Sequence, residues 1–220
     1  MPDYGNAPRA PSTALIPQIS WRWVTERGLR VNTGEQTLAR YQALMSAALD
    51  EVETLIPADG SLLIVRHPGA SPSSNLLALL AKDLLVAVEA PGRMHELLVD
   101  YGGAAGRDLV AVAETAGLSM TEAIALHSAA TYRVQFMGFQ PGFAYLAGTP
   151  AALHQPRLSR PRTQIPAGSL AIGGSYTGIY PTAGPGGWNV IGRVEAKLFD
   201  PHRDPPALLM PGDQVRFVAL

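Results

Sequence analysis

Between residues 136 and 188 the chain places 10 of its 22 glycines and 7 of its 19 prolines within 53 residues. No long helix survives that spacing, because glycine loosens a helix and admits positive φ, while proline removes a backbone donor and fixes φ. The residues between are aromatic and basic, unlike the Ser and Glu of a flexible linker. F-M-G-F-Q-P-G-F-A-Y-L opens at Phe136, P-R-L-S-R-P-R runs from Pro156 to Arg162, and P-G-G-W closes at Trp188. This mixture predicts an ordered surface of fixed turns, in which aromatics line a pocket and neighbouring arginines meet an anion.

The rest of the chain is long enough to support such a surface. At 220 residues it can bury a sizeable core, and a change of sequence character near residue 90 predicts two compact lobes. The expected division is a mobile leader over 1–18, a small α/β domain over 19–90 and a barrel domain over 91–220. A hydrophobic content of 47% with 16% charged residues fits a soluble globular protein. Seventeen basic against eighteen acidic residues leave no basic excess, which argues against a nucleic-acid partner. With no cysteine there is no disulfide, thiolate nucleophile or zinc–cysteine site, in keeping with a reducing compartment. The N-terminus lacks the charged start and apolar run of a secretory signal. Apolar runs such as 84–88 fall far short of the roughly 20 residues that span a bilayer. A cytoplasmic protein with no membrane partner is the expectation.

Periodicity predicts strands at 19–25 and 29–32, a helix at 36–55, a strand at 61–66 and a helix at 76–88 capped by Ser73 or Ser74. That order makes a small sandwich with helices on one sheet face. The second lobe opens with a strand at 96–101, a helix at 106–116 ended by Gly117, and a helix through His127 that starts at an S-x-x-E capping box, Ser119 and Glu122. A strand at 131–139 leads into the Gly/Pro stretch, and further strands are expected at 189–194 and 215–219. Many short strands with Gly/Pro turns point to a closed or nearly closed β-barrel.

Each conspicuous residue carries two readings. Gly138, Gly142, Gly186 and Gly187 either free backbone N–H groups to hold an oxyanion or carboxylate, or permit barrel turns. Phe139, Phe143, Tyr145, Tyr180 and Trp188 either line a pocket or fill the core, with Trp188 expected in an exposed setting after its glycine pair. Arg157, Arg160 and Arg162 sit on a proline-pinned segment. They either grip a carboxylate or phosphate, or form a solvated loop. His127 is either a general base, with Asp100 to orient it, or a helix-end residue bonded to backbone carbonyls. Absent are a G-x-x-x-x-G-K-[ST] phosphate loop, a G-x-S-x-G elbow, an H-x-x-x-H pair and a biotin-carrying lysine between methionines. No metal site is expected.

An ordered set of motifs nevertheless carries a resemblance: Y-G-G at Tyr101, G-L-S at Gly117, L-H-S at Leu126, G-F-x-P-G-F-x-Y-L at Gly138, P-R-x-x-x-P-R at Pro156, I-P-A-G-S at Ile165, T-G-I-Y-P at Thr177, P-G-G-W at Pro185 and P-G-D-x-V-R-F at Pro211. Together they resemble the family of 5-oxoprolinase B subunits, also labelled allophanate hydrolase subunit 1 and including a Kip-type inhibitor of a sporulation histidine kinase. The resemblance implies an α+β chain, with a ferredoxin-like N-terminal domain before a cyclophilin-like β-barrel. It also implies a companion with a related barrel, of the 5-oxoprolinase C-subunit or allophanate hydrolase subunit 2 type, with room for a third subunit. The implied activity is ATP-dependent hydrolysis of 5-oxoproline to L-glutamate by the complex, with this chain inactive alone. An allophanate hydrolase or urea carboxylase-type subunit, or a non-catalytic kinase inhibitor, are the alternatives. On this reading a small anionic substrate lies against Gly138, Phe139, Pro141, Gly142, Phe143, Tyr145, Arg162, Thr177, Gly178, Tyr180, Pro181, Gly186, Gly187 and Trp188, with His127 as the candidate catalytic residue. The sequence departs from the expected family pattern at Tyr176, where Gln is common, and at Gly184, where Ser is often seen.

Overall fold

The computed structural model describes residues 20–82 and 92–220. The expected leader and the second half of the expected 76–88 helix lie outside them. Strands β1 (Trp21–Trp23), β2 (Gly28–Asn32), β3 (Val52–Ala58) and β4 (Ser61–Arg66) form an antiparallel sheet in the order β1-β2-β4-β3. Register explains the core of this lobe. Leu29 pairs with Ile64 and Val31 with Leu62, so alternation puts all four on one face. Helices α1 (Thr37–Ala47) and α2 (Ser74–Ala81) cover that face with Leu44, Leu76 and Leu80. Ser73 caps α2 by accepting from the Leu76 N–H at 3.1 Å.

One expected element is corrected. The predicted helix over 36–55 ends at Ala47, because Ala48 turns into the left-handed region at φ 44°, and residues 52–58 form β3 instead. The apolar spacing of 36–55 fits a helix, but Asp59-Gly60 is a two-residue hairpin turn with Gly60 at φ 64°, and it commits the preceding segment to pair with β4. Pro57 is tolerated because β3 is an edge strand. This edge is also the side of the sheet that meets the second lobe, through β6 (Thr131–Met137).

The second lobe is a closed barrel of β5 (Met94–Tyr101), β6, β7 (Ala144–Ala147), β9 (Ser169–Gly173), β10 (Tyr176–Ile179), β12 (Asn189–Val194) and β13 (Gln214–Ala219), in ring order β10-β7-β6-β13-β5-β12-β9. All neighbours are antiparallel except β13 and β5. A separate two-stranded flap pairs β8 (Arg162–Ile165) with β11 (Gly184–Gly186). Helices α3 (Leu109–Ala116) and α4 (Met120–Ala129) add Leu109, Val112, Ala113 and Ala123 to the barrel's core. Gly117 closes α3 at φ 69°, with the Leu118 N–H donating to the Ala113 carbonyl at 2.9 Å. The Ser119–Glu122 capping box then starts α4, each partner satisfying the other's backbone N–H. Among the described residues no single helix is long and apolar enough to cross a membrane.

Alternation in the barrel wall creates two buried faces. Leu170, Ile172 and Ile179 point into the barrel with Tyr132, Val134, Leu146 and Phe217. Ala171 of β9 and Tyr180, the residue after β10, point outward into a second cluster with Phe143, Ile165, Trp188 and Val190. The Gly/Pro stretch supplies that outer layer.

Candidate functional site

The outer layer begins at an irregularity in β6. Val134 pairs with Leu146, but Phe136 pairs with Tyr145, so a bulge at Gln135 re-aims Phe136 from the barrel interior to its outer face. There Phe136 stacks on Tyr145 with ring centroids 4.4 Å apart. Tyr145 meets Tyr176 at 5.8 Å and Trp188 at 5.5 Å. Trp188 meets Phe143 at 5.3 Å, and Phe143 meets Tyr180 at 5.4 Å and Phe139 at 5.5 Å. Most of these contacts are edge-to-face, the arrangement that the ring quadrupoles favour. A continuous aromatic wall thus runs along β7, β10 and the flap.

Glycines make room for this wall. A Cβ on Gly173 would lie 2.5 Å from the Trp188 indole, one on Gly178 2.8 Å from the Phe143 ring, and one on Gly186 2.3 Å from the Tyr180 hydroxyl. Trp188 is therefore 5% exposed, pressed onto the sheet. This corrects the expectation of an exposed setting: the pair Gly186-Gly187 lets the chain fold its indole inward. Phe143 and Tyr180 are buried as well, and burial raises the Tyr180 phenol above its usual range. Gly187 has no close neighbour, since the nearest atom to a Cβ there would be Pro161 Cγ at 3.6 Å.

One ring stays largely exposed although it meets Phe143 and Tyr180 edge to face. Phe139 is 58% exposed and has φ 65°, a conformation that costs an L side chain about 1–2 kcal/mol. The turn around it is pinned from both sides: the Gly138 N–H donates to the Phe143 carbonyl at 3.1 Å, and the Phe143 N–H to the Gln140 carbonyl at 2.9 Å. Gly142, at φ 82°, lets this turn approach Phe199, where a Cβ would come within 2.8 Å. Phe139 and Pro141 then form one side of an open, mostly apolar groove of about 520 Å³, with Met137, Pro206 and Met210 on the other.

The basic residues are deployed differently from expectation. Arg162 donates to both carboxylate oxygens of Asp108 at 2.7 Å, and Asp108 also accepts from the Val190 N–H at 2.7 Å. The paired guanidinium is held above its ordinary pKa chiefly by that hydrogen bond. Asp108 precedes α3 but does not cap it; its carboxylate ties the flap and β12 together instead. Arg157 and Arg160 are exposed.

His127 and Thr177 lie on the other side of the barrel wall. His127 is 1% exposed, with Nδ1 2.7 Å from the Tyr101 hydroxyl and Nε2 3.4 Å from Thr177 Oγ1, which is itself 2.8 Å from Thr149 Oγ1. Desolvation lowers its pKa to about 3, so the imidazole is neutral. Burial likewise raises the Tyr101 phenol. The ring packs against Tyr132 and Phe217, at 5.0 and 5.2 Å, and these two rings also meet each other at 5.0 Å. His127 thus belongs to an interior polar chain, whereas Phe139, Phe143, Tyr145, Tyr180, Trp188, Gly178 and Gly186 come together on the outer wall. Asp100 is exposed and is not among the partners of His127.

Arg162 is committed to Asp108, and the open groove is lined largely by apolar side chains. Among the described residues the wall carries no nucleophile beside a base. It offers aromatic edges, the Gln140 and Thr182 side chains joined at 3.2 Å, and backbone amides. Reading the sequence missed Asp108, Phe136 and the packing role of Gly173, and singled out Tyr176 only as a departure from the family pattern. The only sequence signals were an acid just ahead of a helix and a glycine next to a buried apolar run at the end of a strand.

The family described as Carboxyltransferase domain, subdomain C and D, matches residues 19–209, which include the whole aromatic wall and every described strand except β13. The 5-oxoprolinase B subunit of Escherichia coli O157:H7 is 54% identical over 132 residues, which are 60% of this chain and 61% of that protein. That of Bacillus subtilis is 44% identical over 144 residues, 66% of this chain and 58% of that protein. The chain thus spans about three fifths of the length of these curated relatives. Among solved structures, TTHA0988 superposes with a TM-score of 0.72 at 38% identity, covering 88% of this chain and 40% of that one. The Kluyveromyces lactis urea carboxylase superposes with a TM-score of 0.68 over 100% of this chain and 24% of that one; at 18% identity this shows a shared fold alone.

Proposed function

The chain belongs to the carboxyltransferase domain, subdomain C and D, family, and on that premise we propose that it serves as the B subunit of a 5-oxoprolinase. The observation that carries this reading is the name shared by three relatives at 44–54% identity, each a 5-oxoprolinase B subunit. In this role it acts with companion subunits, one bearing a related barrel, in ATP-dependent hydrolysis of 5-oxoproline to L-glutamate in the cytoplasm. The nucleotide is held by a companion, in keeping with an aromatic wall whose Arg162 is spent on Asp108. A wall without a nucleophile and base of its own supports a chain that is inactive alone.

In the assembled site the substrate lies against the open end of the wall, at Gly138, Phe139, Pro141 and Gly142, with Gly187 and Pro181 behind. Phe143, Tyr145, Gly178, Tyr180, Gly186 and Trp188 act as the packed support that fixes those positions, and Arg162 acts through Asp108 to hold the flap. Thr177 and His127 have an interior, positioning role. The lobes fit the same reading. Strands β2 and β3 with α1 between them and β4 inserted make a split β-α-β unit, which supports a ferredoxin-like lobe. The seven-stranded closed barrel supports a cyclophilin-like one. The division at residue 90 is supported by two core clusters that share no residue.

The test is reconstitution. Co-expressed with its companions and supplied with ATP and 5-oxoproline, the chain is expected to be required for glutamate release. Undiminished release from preparations that omit it would sink the proposal. Activity on allophanate or urea with none on 5-oxoproline would replace it by the urea-type reading.

A further inference from the structure

Between the two lobes lies a cavity of about 450 Å³ that is separate from the open groove at Phe139. That volume is in the range of small-molecule sites. Its barrel side is formed by Gln135, Phe136 and Tyr176, and its N-terminal side by Glu35, Thr37 and Asp59. We propose that this cleft binds a small organic cation, a primary amine or guanidinium compound, between the Asp59 and Glu35 carboxylates and the rings of Tyr176 and Phe136.

The N-terminal side is held in one arrangement by backbone bonds. The Thr33 and Gly34 N–H groups donate to the Gly60 carbonyl at 2.9 and 3.0 Å, so the start of α1 is tied to the β3–β4 turn that carries Asp59. On the barrel side, the Phe136 and Tyr176 rings meet edge to face at 5.6 Å and 77°. The Tyr176 hydroxyl spans the cleft and donates to Asp59 Oδ1 at 3.2 Å. Burial and the neighbouring Asp59 push the Tyr176 phenol up to about 12, so it remains a neutral donor. Asp59 Oδ2 keeps its acceptor capacity. Among the described residues neither Asp59 nor Glu35 is paired with an arginine or lysine.

Charge arithmetic decides the ligand's sign. The nearby N-terminus of α1 contributes about half a positive charge, which would favour an anion. Two carboxylates outweigh it. Glu35, in the 3-10 turn Gly34–Gln36 that leads into α1, complements the helix end; Asp59, on the facing turn, then leaves the cleft net negative. The Tyr176 and Phe136 rings that line the cleft add π-electron density that attracts ammonium and guanidinium groups, with one face of Phe136 already taken up by its stack on Tyr145. A carboxylate or phosphate ligand would meet repulsion from every charged side chain lining the cleft. Cation binding here needs neither the open end of the wall nor the companion subunits, so it does not rest on the 5-oxoprolinase reading.

The experiment uses the whole chain and two probes, n-butylammonium and its uncharged counterpart butan-1-ol, followed by ligand-detected saturation transfer and by ring-proton shifts of Tyr176 and Phe136. Butylammonium is expected to bind at those rings, more weakly as salt is raised, and butan-1-ol at least about tenfold more weakly, the loss of one charge-assisted contact. Asp59→Asn is the decisive variant: Asn-Gly suits the same hairpin turn and still accepts from Tyr176, so only the charge is lost. It is expected to lower butylammonium affinity about tenfold while leaving the melting temperature within about 2 °C, with Glu35→Gln giving a smaller loss. Equal binding of the alcohol, undiminished binding to Asp59→Asn, or no saturation of the two rings would each overturn the proposal.

Discussion

Replacing Gly173 by alanine puts the packing of the aromatic wall to a quantitative test. The new Cβ would stand 2.5 Å from two atoms of the Trp188 indole, well inside van der Waals contact. The ring has little room to withdraw, since Phe143 and Tyr145 meet it at 5.3 and 5.5 Å and it is only 5% exposed. Forced overpacking of this kind costs about 2–3 kcal/mol. For a chain of this size that lowers the melting temperature by about 5–10 °C. Gly187→Ala is the control, because its Cβ would find nothing nearer than 3.6 Å, and it should cost less than about 0.5 kcal/mol. Combining Gly173→Ala with Trp188→Leu should recover at least about 1 kcal/mol of the sum of the single changes, since the shorter side chain leaves room for the methyl group. Thermal unfolding by circular dichroism compares the unsubstituted chain with the three single variants, Trp188→Leu included, and the double variant. If Gly173→Ala melts with Gly187→Ala, the glycines are not there to admit the rings and the account of the wall fails. Glutamate release by the reconstituted complex separates the two roles further: Gly187→Ala should lower it without lowering stability.

Three further outcomes follow from particular residues. His127 has a folded pKa lowered to about 3 against an ordinary 6.5, so its contribution is complete above pH 6.5 and is lost as pH falls through the window towards 3. About 2 kcal/mol should be gone by pH 5 relative to pH 7.5, and a denaturant series on His127→Gln should show a shallower slope there; equal slopes would refute the assignment. Asp108→Asn is expected to cost about 1–2 kcal/mol and Arg162→Met a similar amount, with the double variant losing less than the sum when all three are compared by chemical denaturation. Phe139→Ala should leave stability within about 0.5 kcal/mol, because the ring is mostly exposed, yet reduce both glutamate release and co-purification with the companion subunits.

Much of this architecture was legible from local rules. The capping box at Ser119 and Glu122 and the stop at Gly117 act within a few residues of themselves, so the helix ends in the barrel lobe could be read directly. The helix expected over 36–55 failed for a different reason. Its apolar spacing satisfies a helix, but the pairing of Val52–Ala58 with β4 and the turn at Asp59-Gly60 win once the sheet forms. The candidate site divided in the same manner. That Phe139, Phe143, Tyr145, Tyr180 and Trp188 would share a surface could be expected from their setting among turns. That Trp188 is buried, that Arg162 is spent on Asp108 and that Thr177 points inward could not, because each depends on a partner far along the chain.

By itself, the sequence determined the family and the use of residues 136–188 as a turn-rich aromatic surface, because glycine and proline act on the backbone at their own positions. Tertiary structure alone decided which side of the barrel wall each residue serves. A single bulge at Gln135 turns Phe136 outward, and strict alternation sends Thr177 inward beside His127 while Gly178 faces Phe143. With a side-chain period of two, one residue of register separates an interior position from one on the outer wall, and register is set by pairing between distant strands.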